Sequence, residues 1–357
     1  MRSDLLTSKR IESPDTLDDI NNLYYQNGWT DGLPIVPPTE DRVARMLQGC
    51  NRDPSEVIGL LSPRMGAATV EKIAINSVMA GCLPEYLPVV LAGVKAVSQE
   101  AFNLGGVQAT TGGPAPLMIV NGPIRNELNL NSGPSLFGPG WRSNATIGRA
   151  MRLVLINVAG GIPGVMDKST FGHPGKYSYC IAENEEVSPW EPLHVEKGFS
   201  PEESTVMVAG CGGPRGAGSG DESSGHALMR GISRSLAATG GGIIGRDNQI
   251  ILILGPEHAK EIAEAGFTKR DIRQFIYWHA RRPLGRIRGT GITTRLRDWP
   301  VWVDDEDPEE TIPIVTWPEN IIVMVAGGDG RISTAVSPWT TTRAQIVDIN
   351  TLHVLST

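Results

Sequence analysis

Four short apolar runs, each stopped by a glycine, limit what this chain can fold into more than any other feature. They are Leu117-Met118-Ile119-Val120-Asn121-Gly122, Thr205-Val206-Met207-Val208-Ala209-Gly210, Ile250-Ile251-Leu252-Ile253-Leu254-Gly255 and Ile321-Ile322-Val323-Met324-Val325-Ala326-Gly327. A strand with one wet face alternates apolar and polar residues; these runs are apolar at consecutive positions, so both faces must be covered. They are also too short for ordinary helices. Amphipathic segments at 146–158, 223–238 and 257–265 follow or lie between them. The expectation is an α/β fold with a mainly parallel sheet layered with helices. The strand–glycine–helix pattern has no fixed period, which argues against a solenoid.

The chain ahead of the first run has a different texture. Residues 1–27 read as a polar arm ending in a short helix capped by Thr16. Residues 28–110 read as a mainly helical part, and 111–357 as the α/β region with glycine-rich strand-to-helix loops. Pro34, Pro37 and Pro38 keep the entry extended, Thr39 and Thr69 are N-cap candidates, and Pro84 starts a helix carrying Leu87, Val90, Leu91, Val94 and Val97.

Composition narrows the function classes. The net charge of −7 and the lack of a Lys/Arg block give nucleic-acid binding little support. Arg281, Arg282, Arg286 and Arg288 read instead as a local anion site or interface patch. The four cysteines, Cys50, Cys82, Cys180 and Cys211, form no Cys-x-x-Cys pair, which argues against a disulfide framework or zinc ribbon. With no apolar signal core at the start and no apolar stretch of the ~20 residues a span needs, a soluble cytoplasmic protein is expected, with no membrane partner. Glycine, at 42 residues against 6 phenylalanines and 6 tyrosines, points to close backbone approaches, often around a ligand.

The chemistry-bearing residues concentrate between Asp167 and Glu196. This stretch holds His173, Lys176, Tyr179, Cys180, Glu183, Glu185, Glu186 and His194. Acids beside imidazole, thiol and phenol groups suit proton transfer, nucleophilic attack or metal binding. Glu183 shares a face with Glu185 if the segment is extended and with Glu186 if it is helical. Two adjacent buried carboxylates tend to hold one proton near neutrality, as a general acid requires. A solvated acidic loop and a structural cysteine are the bland alternative.

Three glycine-rich loops add candidates. Ala209 to Asp221 contains Cys211, Gly212, Gly213 and Arg215 between a strand and a helix, where backbone N–H groups receive anions and lower a thiol pKa. Its spacing matches neither a Walker loop nor a dinucleotide fingerprint. Asn131 to Arg149 supplies hydroxyls, amides and Arg142 ahead of a helix. Gly327-Gly328-Asp329-Gly330-Arg331 closes the last run, which places Asp329 on the same sheet edge as Cys211. A flexible glycine turn, an ordinary capped loop and a plain β-turn are the respective bland alternatives.

Several stretches together resemble bacterial proteins related to the UGSC-motif family, a group associated with the selenoprotein B components of glycine, sarcosine, betaine and D-proline reductases. They are Asp31 to Glu40 (Asp-Gly-Leu-Pro-Ile-Val-Pro-Pro-Thr-Glu), Ala68 to Pro88, Gly172-His173-Pro174-Gly175-Lys176 through Ser188-Pro189-Trp190-Glu191-Pro192, and the helix after Gly255-Pro256-Glu257-His258-Ala259. The resemblance implies an enzyme using a thiol on a small nitrogen- or sulfur-bearing substrate, with a redox partner subunit. The chain departs from the pattern in having no Cys-Gly-Ser-Cys or selenocysteine equivalent.

The resulting expectation is an enzyme that cleaves or adds across a C–N or C–S bond of a small polar or anionic substrate. Glu183 or Glu185 acts as acid–base, His173 or His194 carries the second proton, and Cys180 or Cys211 is the candidate nucleophile. Lys176, Arg142, Tyr179, Gly212, Gly213, Arg215 and Asp329 hold the substrate. No cofactor fingerprint is evident. A metal-dependent hydratase or hydrolase using a divalent ion, and a non-catalytic ligand-binding or scaffold subunit, stay open as alternatives, and a homo- or hetero-oligomer is expected.

Overall fold

The computed structural model describes residues 6–13, 15–218, 223–239, 248–286, 304, 306–339 and 341–350. The expectations for Ser219, Gly220, Asp221 and Arg288 lie outside the described residues. The N-terminal half runs α1 (Leu17–Gln26), α2 (Glu40–Met46), β1 (Val57–Leu61), β2 (Gly66–Thr69), α3 (Val70–Ala80), α4 (Leu87–Val97), α5 (Leu104–Ala109), β3 (Ala115–Asn121), α6 (Ile124–Glu127) and α7 (Arg142–Asn157). Next come β4 (Cys180–Ala182), α8 (Leu193–Glu196), β5 (Thr205–Cys211), β6 (Arg215–Gly216), α9 (Gly225–Thr239), β7 (Ile250–Leu254), α10 (Pro256–Glu264) and α11 (Lys269–His279). The chain continues through β8 (Arg281–Pro283), β9 (Thr311–Pro313), β10 (Ile321–Val325), β11 (Thr334–Val336) and β12 (Gln345–Asp348).

The four apolar runs do form strands, but they belong to two mixed sheets. The first has the order β12-β5-β3-β4 and the second β10-β7-β11-β6. Only β3 with β4 and β10 with β7 pair in parallel; the remaining pairs in these two sheets are antiparallel. The expected mainly parallel sheet is therefore corrected. Consecutive apolar residues report burial on both faces, and strand direction is not part of that signal.

What covers the faces is shown by the period-two split of each strand. Leu117, Ile119, Met207, Ala209, Ile251, Ile253, Ile322 and Met324 form one buried cluster, so the two sheets pack face to face. Met118, Val120, Val206 and Val208 point the other way and join α3, α4 and α7. Leu252, Leu254, Ile321 and Val323 likewise join α9, α10 and α11. The result is four layers, helix–sheet–sheet–helix. The N-terminal helices are thus the outer cover of the first sheet. α4, buried along all its length but Lys95, is the innermost of them.

Local signals place these helices. Thr69 accepts from the Lys72 amide at 3.2 Å to start α3, and Gly81 ends it at φ 90°, a left-handed conformation that favours glycine. The hairpin β1–β2 and α11, whose capping box joins Thr268 and Asp271, are additions to the sequence reading.

The register also defines two ends of the sandwich. At one end Asn121 opposes Thr205, and Asn184 N–H donates to the Val325 carbonyl at 2.8 Å. At the other end Ala115 opposes Cys211, and Gly212 N–H donates to the Ser337 carbonyl at 3.1 Å. A seven-residue strand separates them by about 20 Å.

Candidate functional site

The chemistry-bearing segment divides between these two ends. β4 carries the chain from the Cys211 end toward the Asn121 end, so residues 167–179 and 183–196 form separate clusters. His173 and Tyr179 stay with Cys211, whereas Glu183, Glu185 and His194 gather around Asn121.

The first cluster lines a cavity of about 550 Å³, bounded among others by Thr30, Asp31, Arg152, Asp167, His173 and Lys176. Arg152 is supplied by α7 and is only 8 % exposed. Its Nε–H donates to the Lys176 carbonyl at 2.6 Å. Among the described residues its two terminal nitrogens have no hydrogen-bond partner, and the side chain borders the cavity. Lys176 Nζ donates to Asp167 Oδ2 at 2.5 Å, while Asp167 Oδ1 accepts from the Ser169 amide at 3.0 Å and hydroxyl at 2.6 Å. Asp31 is held in a two-pronged pair with Arg149, at 2.8 and 2.9 Å.

Burial acts on three of these charges. It lowers the Arg152 pKa, against the attraction of Asp167 and Asp31. It lowers that of Lys176 too, against the hydrogen bond and charge of Asp167. Burial would raise Asp167, but hydrogen bonds from Lys176 and Ser169 more than offset this and hold it below the usual carboxylate range. Arg149 pairs with Asp31 and Lys176 with Asp167, which leaves Arg152, among the described residues, as the cavity arginine outside an ion pair.

His173 borders the same cavity, but both its ring nitrogens are committed. Nδ1 accepts from the Gly175 amide at 3.1 Å, which leaves the proton on Nε2 to donate to the Cys211 carbonyl at 3.2 Å. Burial lowers its pKa, and Lys176 and Arg152 add to this. Tyr179 donates from its hydroxyl to the Gly212 carbonyl at 2.9 Å. These two side chains brace the loop through Cys211, Gly212 and Gly213.

The second cluster is interior. Glu183 and His194 are fully buried. Glu183 Oε2 accepts from Asn121 Nδ2 at 2.5 Å and from the Leu193 amide at 2.8 Å. Burial raises its pKa, and only partly is this countered by Lys269, Leu193 and Asn121. Glu185 Oε1 accepts from Asn121 at 2.9 Å and Gly122 N–H at 2.8 Å, pairs with Arg125 Nε at 2.9 Å, and lies 3.8 Å from His194 Nδ1. Arg125 also grips Glu186 at 3.0 Å, which draws that carboxyl down to about 2. Glu196 of α8 pairs with Lys269 at 3.3 Å and with Arg273. This network ties sheet one to α8 and α11; a substrate has no way to Glu183 or His194 without opening it.

The remaining expected residues fall elsewhere. The thiols of Cys180 and Cys211 are buried, and burial pushes both pKa values far up, the reverse of what a nucleophile needs. Arg142 donates from Nε and Nη2 to the Gly81 carbonyl at 3.2 and 3.0 Å, which satisfies the end of α3. Arg215 is exposed on β6, opposite Ala335. Asp329 is exposed beyond β10, and Gly327 N–H donates to Ser132 at 2.8 Å, so this turn sits at the end of the sandwich opposite Cys211. The expectation of a shared edge is corrected: β10 runs parallel to β7 in the other sheet. Among the described residues no three His, Cys, Asp or Glu side chains are placed to hold a metal ion, and no helix is long and apolar enough to cross a membrane.

Arg152, Asp31 and Ser169 escaped the sequence reading. The signal for Arg152 was a lone charge inside the apolar run Met151-Arg152-Leu153-Val154-Leu155-Ile156. Comparison with family models, curated proteins and solved structures returned no match.

Proposed function

We propose that this chain is an enzyme acting on a small carboxylate in the Arg152 cavity, with the Lys176–Asp167 pair as its acid–base machinery. One observation carries the reading: a buried guanidinium whose terminal nitrogens have no hydrogen-bond partner among the described residues borders a roomy cavity beside an ion pair. An unpaired buried cation is costly unless an anion completes it, and a guanidinium fork matches a carboxylate.

The chemistry that fits is elimination, or its reverse addition, across a C–N or C–S bond. Arg152 holds the carboxylate and stabilises charge developing on it. Lys176, whose amine form burial favours, takes the proton from the adjacent carbon. The released electron pair forms the C=C bond as the carbon–heteroatom bond breaks, and the Lys176 proton passes to the leaving nitrogen or sulfur. Asp167 orients the lysine and stabilises its ammonium form. Neither candidate thiol serves this chemistry, because both are buried and neither cysteine lines the cavity.

The test is to incubate the protein with small carboxylates bearing amino or thio substituents and to follow products by mass spectrometry. The wild type is expected to form an unsaturated acid. Lys176→Met is expected to bind the same acid but turn over about 10²–10⁴-fold more slowly. Binding without turnover across the panel moves the assignment to a ligand-binding subunit. Absence of binding overturns the reading.

A further inference from the structure

The mouth of the cavity is built differently from its floor. Phe171 and Tyr177 both border it, yet Phe171 is 98 % exposed and Tyr177 53 % exposed. A lone exposed apolar side chain needs no explanation, but two aromatics on one cavity rim are an arrangement. Ile156, Pro163 and Pro174 add apolar surface to the same lining.

The rim is held in place. Thr170 N–H donates to the Thr111 carbonyl at 2.9 Å, and its hydroxyl adds a second bond to the same oxygen at 3.2 Å. Lys176 N–H donates to His173 and Tyr177 N–H to Pro174, both at 2.9 Å. Gly172, at φ 66°, makes the turn after Phe171, and a Cβ there would meet the Lys176 stem at 3.4 Å. The backbone that carries the two aromatics is therefore set by an internally bonded turn.

From this we infer that the ligand is an aromatic monocarboxylic acid, its carboxylate on Arg152 and its ring against Phe171 and Tyr177. This rests on the carboxylate reading above and narrows it. The cavity volume lies within the roughly 300–1,000 Å³ of small-molecule sites, so a carboxylate alone leaves most of it unfilled. A ring against two aromatic side chains removes apolar surface from water and gains offset or edge contacts. Charge sets the number of carboxylates. Arg152, outside any ion pair among the described residues, takes a first carboxylate, and a second is repelled by Asp31 and Asp167, which line the same cavity.

The experiment is calorimetric titration of the full chain with acetate, phenylacetate, phenylmalonate and phenylacetamide, in wild type and in Phe171→Ala/Tyr177→Ala. Both substituted residues are exposed, so folding is preserved. Phenylacetate is expected to bind about tenfold more tightly than acetate. Phenylmalonate and the neutral phenylacetamide are expected to bind more weakly than phenylacetate. In the double variant the advantage of phenylacetate disappears while acetate is unchanged. Equal affinities for acetate and phenylacetate, or an advantage that survives the double variant, overturn the aromatic inference and leave the carboxylate reading standing. If neither acid binds the wild type, both fall.

Discussion

Arg152 donates its Nε–H to the backbone carbonyl of Lys176 across 2.6 Å, so one basic side chain of the cavity positions the residue that carries the other. Helix α7 thereby holds the turn that carries the Lys176 side chain. Arg152→Gln is expected to lose this charge-assisted bond and about 2 kcal/mol of stability. Chemical denaturation measures the loss; an unchanged midpoint would show that the turn stands without the arginine.

Asp167 gives the cavity a distinct response to acid. Its folded pKa is depressed, so its contribution to stability is present above the ordinary carboxylate pKa and is lost as pH falls through the folded value. Asp167→Asn is expected to flatten the acid limb of the stability curve and to leave Lys176 without its counter-charge. Denaturation midpoints taken across the acid range check this, and an acid limb identical in both proteins would count against it.

Glu183 should behave in the opposite sense. Its folded pKa is raised, so the native state binds more protons than the unfolded chain between the two values. Stability therefore falls as pH rises through that window. Glu183→Gln replaces the acid with a neutral group of the same shape and should cost less than about 1 kcal/mol at neutral pH. It should also remove the slope. A loss of several kcal/mol at neutral pH would mean that the buried carboxylate is charged and needed.

The thiols supply a third readout. All four cysteines are buried, and burial raises their pKa values, that of Cys82 to about 12. Alkylation of the native protein near pH 8 should be slow at every cysteine and should accelerate on unfolding, as mapped by mass spectrometry. Fast native labelling of Cys180 or Cys211 would restore the nucleophile reading.

The layers were legible because consecutive apolar residues such as Ile250 to Leu254 report burial on both faces. Strand direction was not, since it depends on where each connection re-enters a sheet. Gln345–Asp348 joins the first sheet beside β5, far from it in sequence. The site was legible in part. Lys176 and His173 do border the cavity. Glu183 and His194, which the sequence places beside them, sit at the far end because β4 runs between the two groups. Proximity along the chain misleads wherever a strand intervenes. Arg152 was hidden because amphipathic patterning registers a helix's apolar face and passes over one buried charge within it.

Fluorine NMR titration with trifluoroacetate, against the neutral trifluoroacetamide, asks whether Arg152 binds a carboxylate. Saturable binding is expected of the anion alone, and it is lost in Arg152→Gln at unchanged circular dichroism. No saturable binding to the wild type, or equal binding by the variant, would contradict it.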